Sequence, residues 1–306
     1  MRPELSGEVR EALADGRPVV ALETSVVAQG LPRPHNLEAA LACEQAVRDA
    51  GAVPAATAVV DGVLRVGLAR GELERLAGEE GLWKLGARDL CVAVAQRRTG
   101  GTTVSATCEL AAAAGIRLFA TGGIGGVHRG VERDWDISQD LQALARFPVA
   151  VVCAGAKSIL DLPKTLEHLE ALGVPVVGVG TGDFPAFFSA TSGLLLEHRV
   201  EDAAGAAAVV HARLSVLRQG GMLLAQPPPA DAALPRDVVE AEILRALAEA
   251  GAQGVTGKRL TPFLLGRVAA LTGGRSLGVN LALLRNNARL AAEVAVALVP
   301  LERGGR

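Results

Sequence analysis

The stretch PVAVVCAGAKSILDLPKTLEHLEALGVPVVGVGTG, residues 148–182, decides the fold. Its two ends are β-branched apolar runs, and the segment between them is helix-compatible and stopped by Gly173, so the whole reads as strand, helix, strand. Both runs are apolar on both faces, which is the pattern of strands covered by helices on either side. Working outward, RPVVALE (17–23), ATAVVDGVLRVGL (56–68), LCVAVAQ (90–96), IRLFATGG (116–123) and GLLLEHRV (193–200) read as further strands between Ala-rich segments. The Asp61-Gly62 turn predicts one antiparallel hairpin. Asn36 is the predicted N-cap of a helix reaching Ala50 and stopped by Gly51, and Gly115 closes another helix. These signals predict an α/β fold: an α-β-α layered domain whose central sheet is mixed and mostly parallel, flanked by helices, with a helical C-terminal portion. The one linker-like stretch is AQPPPADAALPRD (225–237), a candidate internal boundary near 226–236. A single domain over 1–306 is the preferred reading at this length.

Composition removes several classes of function. A chain of 306 residues that is 50% hydrophobic can bury a large core and is not a disordered tail. Lys+Arg 31 against Asp+Glu 33 leaves a net charge of −2, and aromatic residues are 3% of the chain, so neither a phosphate-tracking basic stripe nor a stacking platform is present for a nucleic-acid polymer. No apolar run reaches the roughly 18 to 20 residues that span a bilayer, and the start, MRPELSGEVR, has no apolar signal region, so the expected location is cytoplasmic. Cys43, Cys91, Cys108 and Cys153 form no C-x-x-C pair and are expected to be small core residues.

In an α/β sheet, ligands sit beyond the carboxyl ends of the strands. Three polar anchors emerge there: Glu23 after VVAL, the glycine loop TGGIGGVHRG (121–130) after RLFA, and Lys157 after VAVVCAGA. Gly122, Gly123, Gly125 and Gly126, with His128 and Arg129 beside them, suit either an anion or a tight structural turn. Lys157 leaves a strand that should be buried, where desolvation favours a neutral, nucleophilic amine, against the default of a solvated surface lysine. Asp134, Asp136 and Asp140 in RDWDISQDL (133–141) have a spacing that suits a hard divalent cation, and equally a helix start capped by Asp136 or Ser138. Asn280, Asn286 and Asn287 read by default as capping or interhelical groups. His35, His168, His198 and His211 show no ligand spacing.

The ordered set of segments ALETSVVAQGLPRPHN (21–36), KLGARDL (84–90), GGTTVSAT (100–107), FATGGIGGVHRG (119–130), WDISQDL (135–141), VCAGAKSILDLPKTLEHLE (152–170), GKRLTPFLL (257–265) and SLGVNLALLRNNARLAAEVAV (276–296) resembles the pseudouridine-5'-phosphate glycosidase family over nearly the whole chain. The resemblance implies cleavage of the C–C glycosidic bond of pseudouridine 5'-phosphate to uracil and ribose 5-phosphate, through a covalent lysine adduct at C1'. It implies Lys157 as nucleophile, Glu23 as proton donor and Asp136 as the ligand of a Mn²⁺ cofactor. Lys84, Val104, Thr121, His128, Ser138, Gln139, Asp140 and Asn280 match substrate-binding or other site positions, and the family implies a homotrimer. The sequence departs from the family pattern in having Thr24-Ser25 where Ser-Thr follows the glutamate, Gln29 where a His precedes the glycine, and AQPPP in place of an Asn-Pro segment at Gln226. Gln29 keeps hydrogen-bonding capacity but cannot titrate. A protein that only binds a phosphorylated metabolite, or another Schiff-base sugar-phosphate lyase, are the alternatives that uracil release would separate.

Overall fold

The computed structural model describes residues 2–255 and 257–304, the side chains of Asp134 and Lys258 excepted. Its strands are β1 (Glu4–Leu5), β2 (Val19–Leu22), β3 (Val53–Val60), β4 (Val63–Val66), β5 (Trp83–Leu85), β6 (Gly100–Thr102), β7 (Leu118–Ala120), β8 (Ala150–Cys153), β9 (Val176–Val179), β10 (His198–Val200) and β11 (Met222–Ala225). They join in the order β1-β4-β3-β2-β7-β8-β11-β9-β10, with β6 pairing with β3 and β5. Among the described residues only β3–β4 and β3–β6 pair antiparallel, so the sheet is mixed and mostly parallel. The Asp61-Gly62 hairpin is present, with Asp61 at φ 50° and Gly62 at φ 84° supplying the left-handed turn.

Helices cover the sheet in layers: α1 (Gly7–Ala14), α2 (His35–Asp49), α3 (Arg70–Gly78), α4 (Ala87–Ala95), α5 (Val104–Ala114), α6 (Val131–Asp134), α7 (Gln139–Arg146), α8 (Leu162–Ala171), α9 (Ala203–His211), α10 (Arg236–Ala252), α11 (Leu260–Leu271) and α12 (Arg275–Gly304). The long α12 packs on α2 and α9 and lies against β2, β7 and β8, while α5 packs with α4 and α7. Central strands β2, β8 and β11 are buried at every position, as double-sided coverage requires.

Several sequence expectations are corrected. LCVAVAQ (90–96) lies largely in α4: the Asp89 carboxylate accepts the Gly86 N–H at 2.9 Å, which starts a helix. Leu90 and Ala93 are buried while Val92 is 41% exposed, a spacing of three that overrides the β-propensity of the valines. In GLLLEHRV only His198–Val200 is strand, and Leu195 is exposed. Asn36 is not a cap but a buried residue inside α2, donating to the carbonyls of Val27 (2.8 Å) and Ala77 (3.0 Å). Cys43, Cys108 and Cys153 are core residues, and burial pushes the thiols of Cys43 and Cys153 up to about 12. Cys91 is exposed.

The linker-like stretch does not detach the helical C-terminal portion from the sheet. Gln226, directly after β11, donates through Nε2 to Asn287 Oδ1 (3.0 Å), and Asn287 of α12 donates to the carbonyls of Thr121 (2.8 Å) and Gly122 (3.3 Å). Asn287 is fully buried, so its removal strands the Gln226 amide and the Thr121 carbonyl away from water, while the Gly122 carbonyl keeps the Ala154 amide. Asn287→Leu is expected to lower unfolding free energy by about 2 to 4 kcal/mol, read as a reduced urea midpoint with an unchanged m-value.

Candidate active site

Strands β2, β7 and β8 are parallel neighbours, so their carboxyl ends share one edge of the sheet. Glu23 follows β2, the glycine loop follows β7, and Lys157 lies four residues beyond β8; all three border a cavity of about 600 Å³. Lys157 Nζ donates to the Gly123 carbonyl at 2.7 Å. The Glu23 carboxylate accepts a hydroxyl on each oxygen, from Thr121 on Oε1 and Ser25 on Oε2. Thr121 is buried and acts on the cavity through Glu23.

The Thr24-Ser25 order has a direct structural meaning. Thr24 points inward, donating to the Thr57 carbonyl (2.6 Å) and accepting from the Thr102 amide (3.1 Å), while Ser25 faces Glu23. Each position needs a hydroxyl, and exchanging Ser for Thr keeps one at both. Gln29 lines the cavity; its Nε2 donates to the Leu82 carbonyl at 3.1 Å, leaving buried Oε1 without a partner among the described residues.

The glycine loop is shaped chiefly by protein side chains. A Cβ on Gly125 would lie 2.3 Å from Ser138 Oγ, one on Gly126 2.5 Å from Thr165 Oγ1, and one on Gly123 2.5 Å from a ring carbon of Phe187. Asp140, 6% exposed, spends both carboxylate oxygens on backbone amides, Ser105 at 2.9 Å and Gly125 at 2.9 Å, and so ties the first turn of α5 to the loop. Arg129 turns away from the cavity: it forms a two-pronged ion pair with Glu240 of α10 and donates to the carbonyls of Leu160 and Ser158. Its guanidinium holds the Glu240 carboxyl below the usual range.

Lys84, Val104, His128, Asp136, Ser138, Gln139, Asp140 and Asn280 all lie on the cavity wall with Glu23 and Lys157. Ser138 is the α7 N-cap, accepting the Asp140 amide at 3.2 Å, which removes Asp136 from the capping role. Gln139 accepts the Arg88 amide at 3.1 Å. Val104 opens α5 and has no polar side-chain atom, so only its backbone can bond a ligand. Among the described residues no three His, Cys, Asp or Glu side chains gather as a metal site; the Asp134 side chain lies outside them. Sequence reading missed Phe187, Leu284 and the α11 residues Thr261, Pro262 and Leu265, which complete the wall. Thr261, Pro262, Leu265 and Leu284 lie in the quoted segments GKRLTPFLL and SLGVNLALLRNNARLAAEVAV without a side chain that announces a reaction, and Phe187 lies in no quoted segment.

Residues 8–297 match the family described as indigoidine synthase A like protein. A pseudouridine-5'-phosphate glycosidase of Myxococcus xanthus is 63% identical over 293 residues, covering 95% of this chain and 97% of that protein. Another of Chloroflexus aurantiacus is 54% identical over 301 residues, covering 97% and 99%. Among solved structures, the prealnumycin C-glycosynthase AlnA in complex with ribulose 5-phosphate aligns with a TM-score of 0.91 at 39% identity, covering 99% of both chains. An indigoidine synthase A-like protein of Thermotoga maritima aligns with a TM-score of 0.88 at 35% identity, covering 98% of this chain and 97% of that one. The chain belongs to the indigoidine synthase A-like family.

Proposed function

We propose that the protein is a pseudouridine-5'-phosphate glycosidase, cleaving the C–C glycosidic bond reversibly to uracil and ribose 5-phosphate. The observation that carries this reading is that Glu23 and Lys157, the acid and the amine the chemistry needs, border one cavity and are both bonded to the turn after β7. The names of relatives more than half identical support it.

A carbon leaving group departs poorly from an oxocarbenium-like state, so a carboxylate pair alone is a weak solution. Covalent catalysis divides the problem. Glu23 delivers a proton to the ribose ring oxygen as the C1'–O4' bond opens, and the Lys157 amine adds at C1'. The added nitrogen returns a proton to the Glu23 carboxylate, its lone pair then expels C5 of uracil, and C5 takes up that proton as the C1' iminium forms. Water adds to the iminium, releasing ribose 5-phosphate and regenerating the lysine. The phosphate is assigned to Lys84 and the backbone amide of Val104 at the α5 N-terminus, with Asn280 and His128 as further polar contacts.

The chain has no closed ligand cage among the described residues; a hard cation such as Mn²⁺ would be held by the Asp136 carboxylate on the cavity wall and completed by water and substrate oxygens. Bound there, the ion would neutralise phosphate charge and orient polar groups. Residues 1–306 acting as a single glycosidase domain, in a cytoplasmic homotrimer, complete the proposal, resting on the helices that close the cavity, the composition and the family resemblance.

Uracil release from pseudouridine 5'-phosphate with Mn²⁺, followed by chromatography, tests the assignment. Lys157→Ala is expected to abolish release with the thermal transition unchanged. Borohydride added during turnover is expected to leave the sugar-phosphate mass on Lys157, and adduct on another lysine would defeat the assignment. Unphosphorylated pseudouridine is expected to have kcat/KM at least about a hundredfold lower, because binding energy from the phosphate positions C1'; equal values would remove the phosphate assignment. Asp136→Asn is expected to weaken Mn²⁺ binding in calorimetry and activity together, with partial rescue at high Mn²⁺ and stability within about 1 kcal/mol of the parent, since Ser138 supplies the cap.

A further inference from the structure

Phe187 is a buried aromatic residue with its backbone in the left-handed region, φ 59°, where bulky side chains are rarely found. Such strain persists only where the surroundings over-determine it, and it gathers at functional sites. Its neighbours account for the constraint. The Phe187 amide donates to the Ala154 carbonyl at 2.9 Å, just after β8, and Ala186 bridges to Gly155. Gly155, at φ 77°, passes so close to Pro185 that a Cβ would meet its carbonyl oxygen at 2.1 Å. The segment is thereby clamped to the chain that leads into Lys157.

The ring completes a bracket from the other side. It fills the space where a Cβ on Gly123 would stand, at 2.5 Å, and with Leu283 and Leu284 crowds the Cβ position of Gly122, at 3.3 Å. Gly123 presents the carbonyl that accepts Lys157 Nζ, and the two loops are further joined by the Ala154 amide to Gly122, Ile124 to Gly155, and Lys157 to the Ile124 carbonyl. Behind Phe187 stands Phe188, edge-on with ring centroids 4.7 Å apart. Phe187 borders the cavity with Lys157, whereas the equally buried Phe184 and Phe188 are absent from its wall and have ordinary φ.

We propose that Phe187 is a positioning residue for the reaction: its ring fixes the Gly122–Gly123 backbone, and through the Gly123 carbonyl it aims the Lys157 amine at C1'. The proposal rests on Lys157 being the nucleophile. The amine condenses with the open-chain aldehyde of ribose 5-phosphate, losing water, and hydride from borohydride adds at C1' of the iminium to leave a stable secondary amine.

Phe187→Leu and Phe187→Ala test it, with borohydride trapping by ribose 5-phosphate, steady-state kinetics and thermal unfolding measured side by side. The expected result is a loss of at least tenfold in kcat and in trapping rate, smaller for Leu than for Ala, with KM within about threefold of the parent and the adduct still on Lys157. A raised KM with kcat and trapping intact would overturn the proposal, leaving Phe187 a pocket wall. A fall in kcat matched by the same fractional loss of folded protein would overturn it in favour of a structural role. Absence of any Lys157 adduct in the parent would instead remove the nucleophile assignment, and this proposal with it.

Discussion

β7 lies between β2 and β8, and this placement constrains everything at the site. The chain leaving β7 must run between the chains leaving its two neighbours, so one turn touches both chemical groups. Thr121 reaches sideways to Glu23, and two residues later Gly123 offers its carbonyl to Lys157. Neither group is positioned alone. A shift of the turn would move the acid and the amine together, and misplacement of about 1 Å is costly where catalysis depends on alignment.

The turn is held by groups that have little freedom of their own. From α12, Asn287 takes the carbonyls of Thr121 and Gly122; from α7, Asp140 takes the amide of Gly125; from α8, Thr165 takes the amide of Val127. Each partner is buried, so releasing a bond leaves a polar group without water. The glycines are explained by the same crowding: Phe187, Ser138 and Thr165 occupy the places where their Cβ atoms would be. An anion-binding reading of G-G-x-G-G is therefore secondary to packing. The charge that sequence reading gave to Arg129 is spent on Glu240, which secures the loop to α10.

The fold was legible where apolar runs were long. Residues 148–182 read correctly because β8 is buried throughout and β9 from Val177 onward, and Gly173, at φ 68°, ends α8. It was illegible where local and tertiary signals disagreed. The valines of α4 look like a strand until Asp89 is seen capping Gly86, and Gly100-Gly101 look like a loop although β6 uses them to approach Trp83 and Thr24 closely. At the site, strand-end polar residues announced themselves. Phe187 did not, because a phenylalanine in sequence carries no sign of a left-handed φ.

The departures from the family pattern make sense as hydrogen-bonding capacity retained in altered form. Thr24-Ser25 keeps one hydroxyl for the interior and one for Glu23. Gln226 donates an amide N–H to Asn287, which frees the Asn287 amide to face the turn. Gln29 is different, since its Nε2 is committed to Leu82 and its Oε1 has no partner among the described residues. A buried acceptor left unmatched costs stability, and an amide cannot shuttle a proton at neutral pH. In the proposed reaction, proton transfer at this end of the cavity therefore falls to Glu23, whose two hydroxyl donors hold its oxygens in fixed directions whatever occupies position 29.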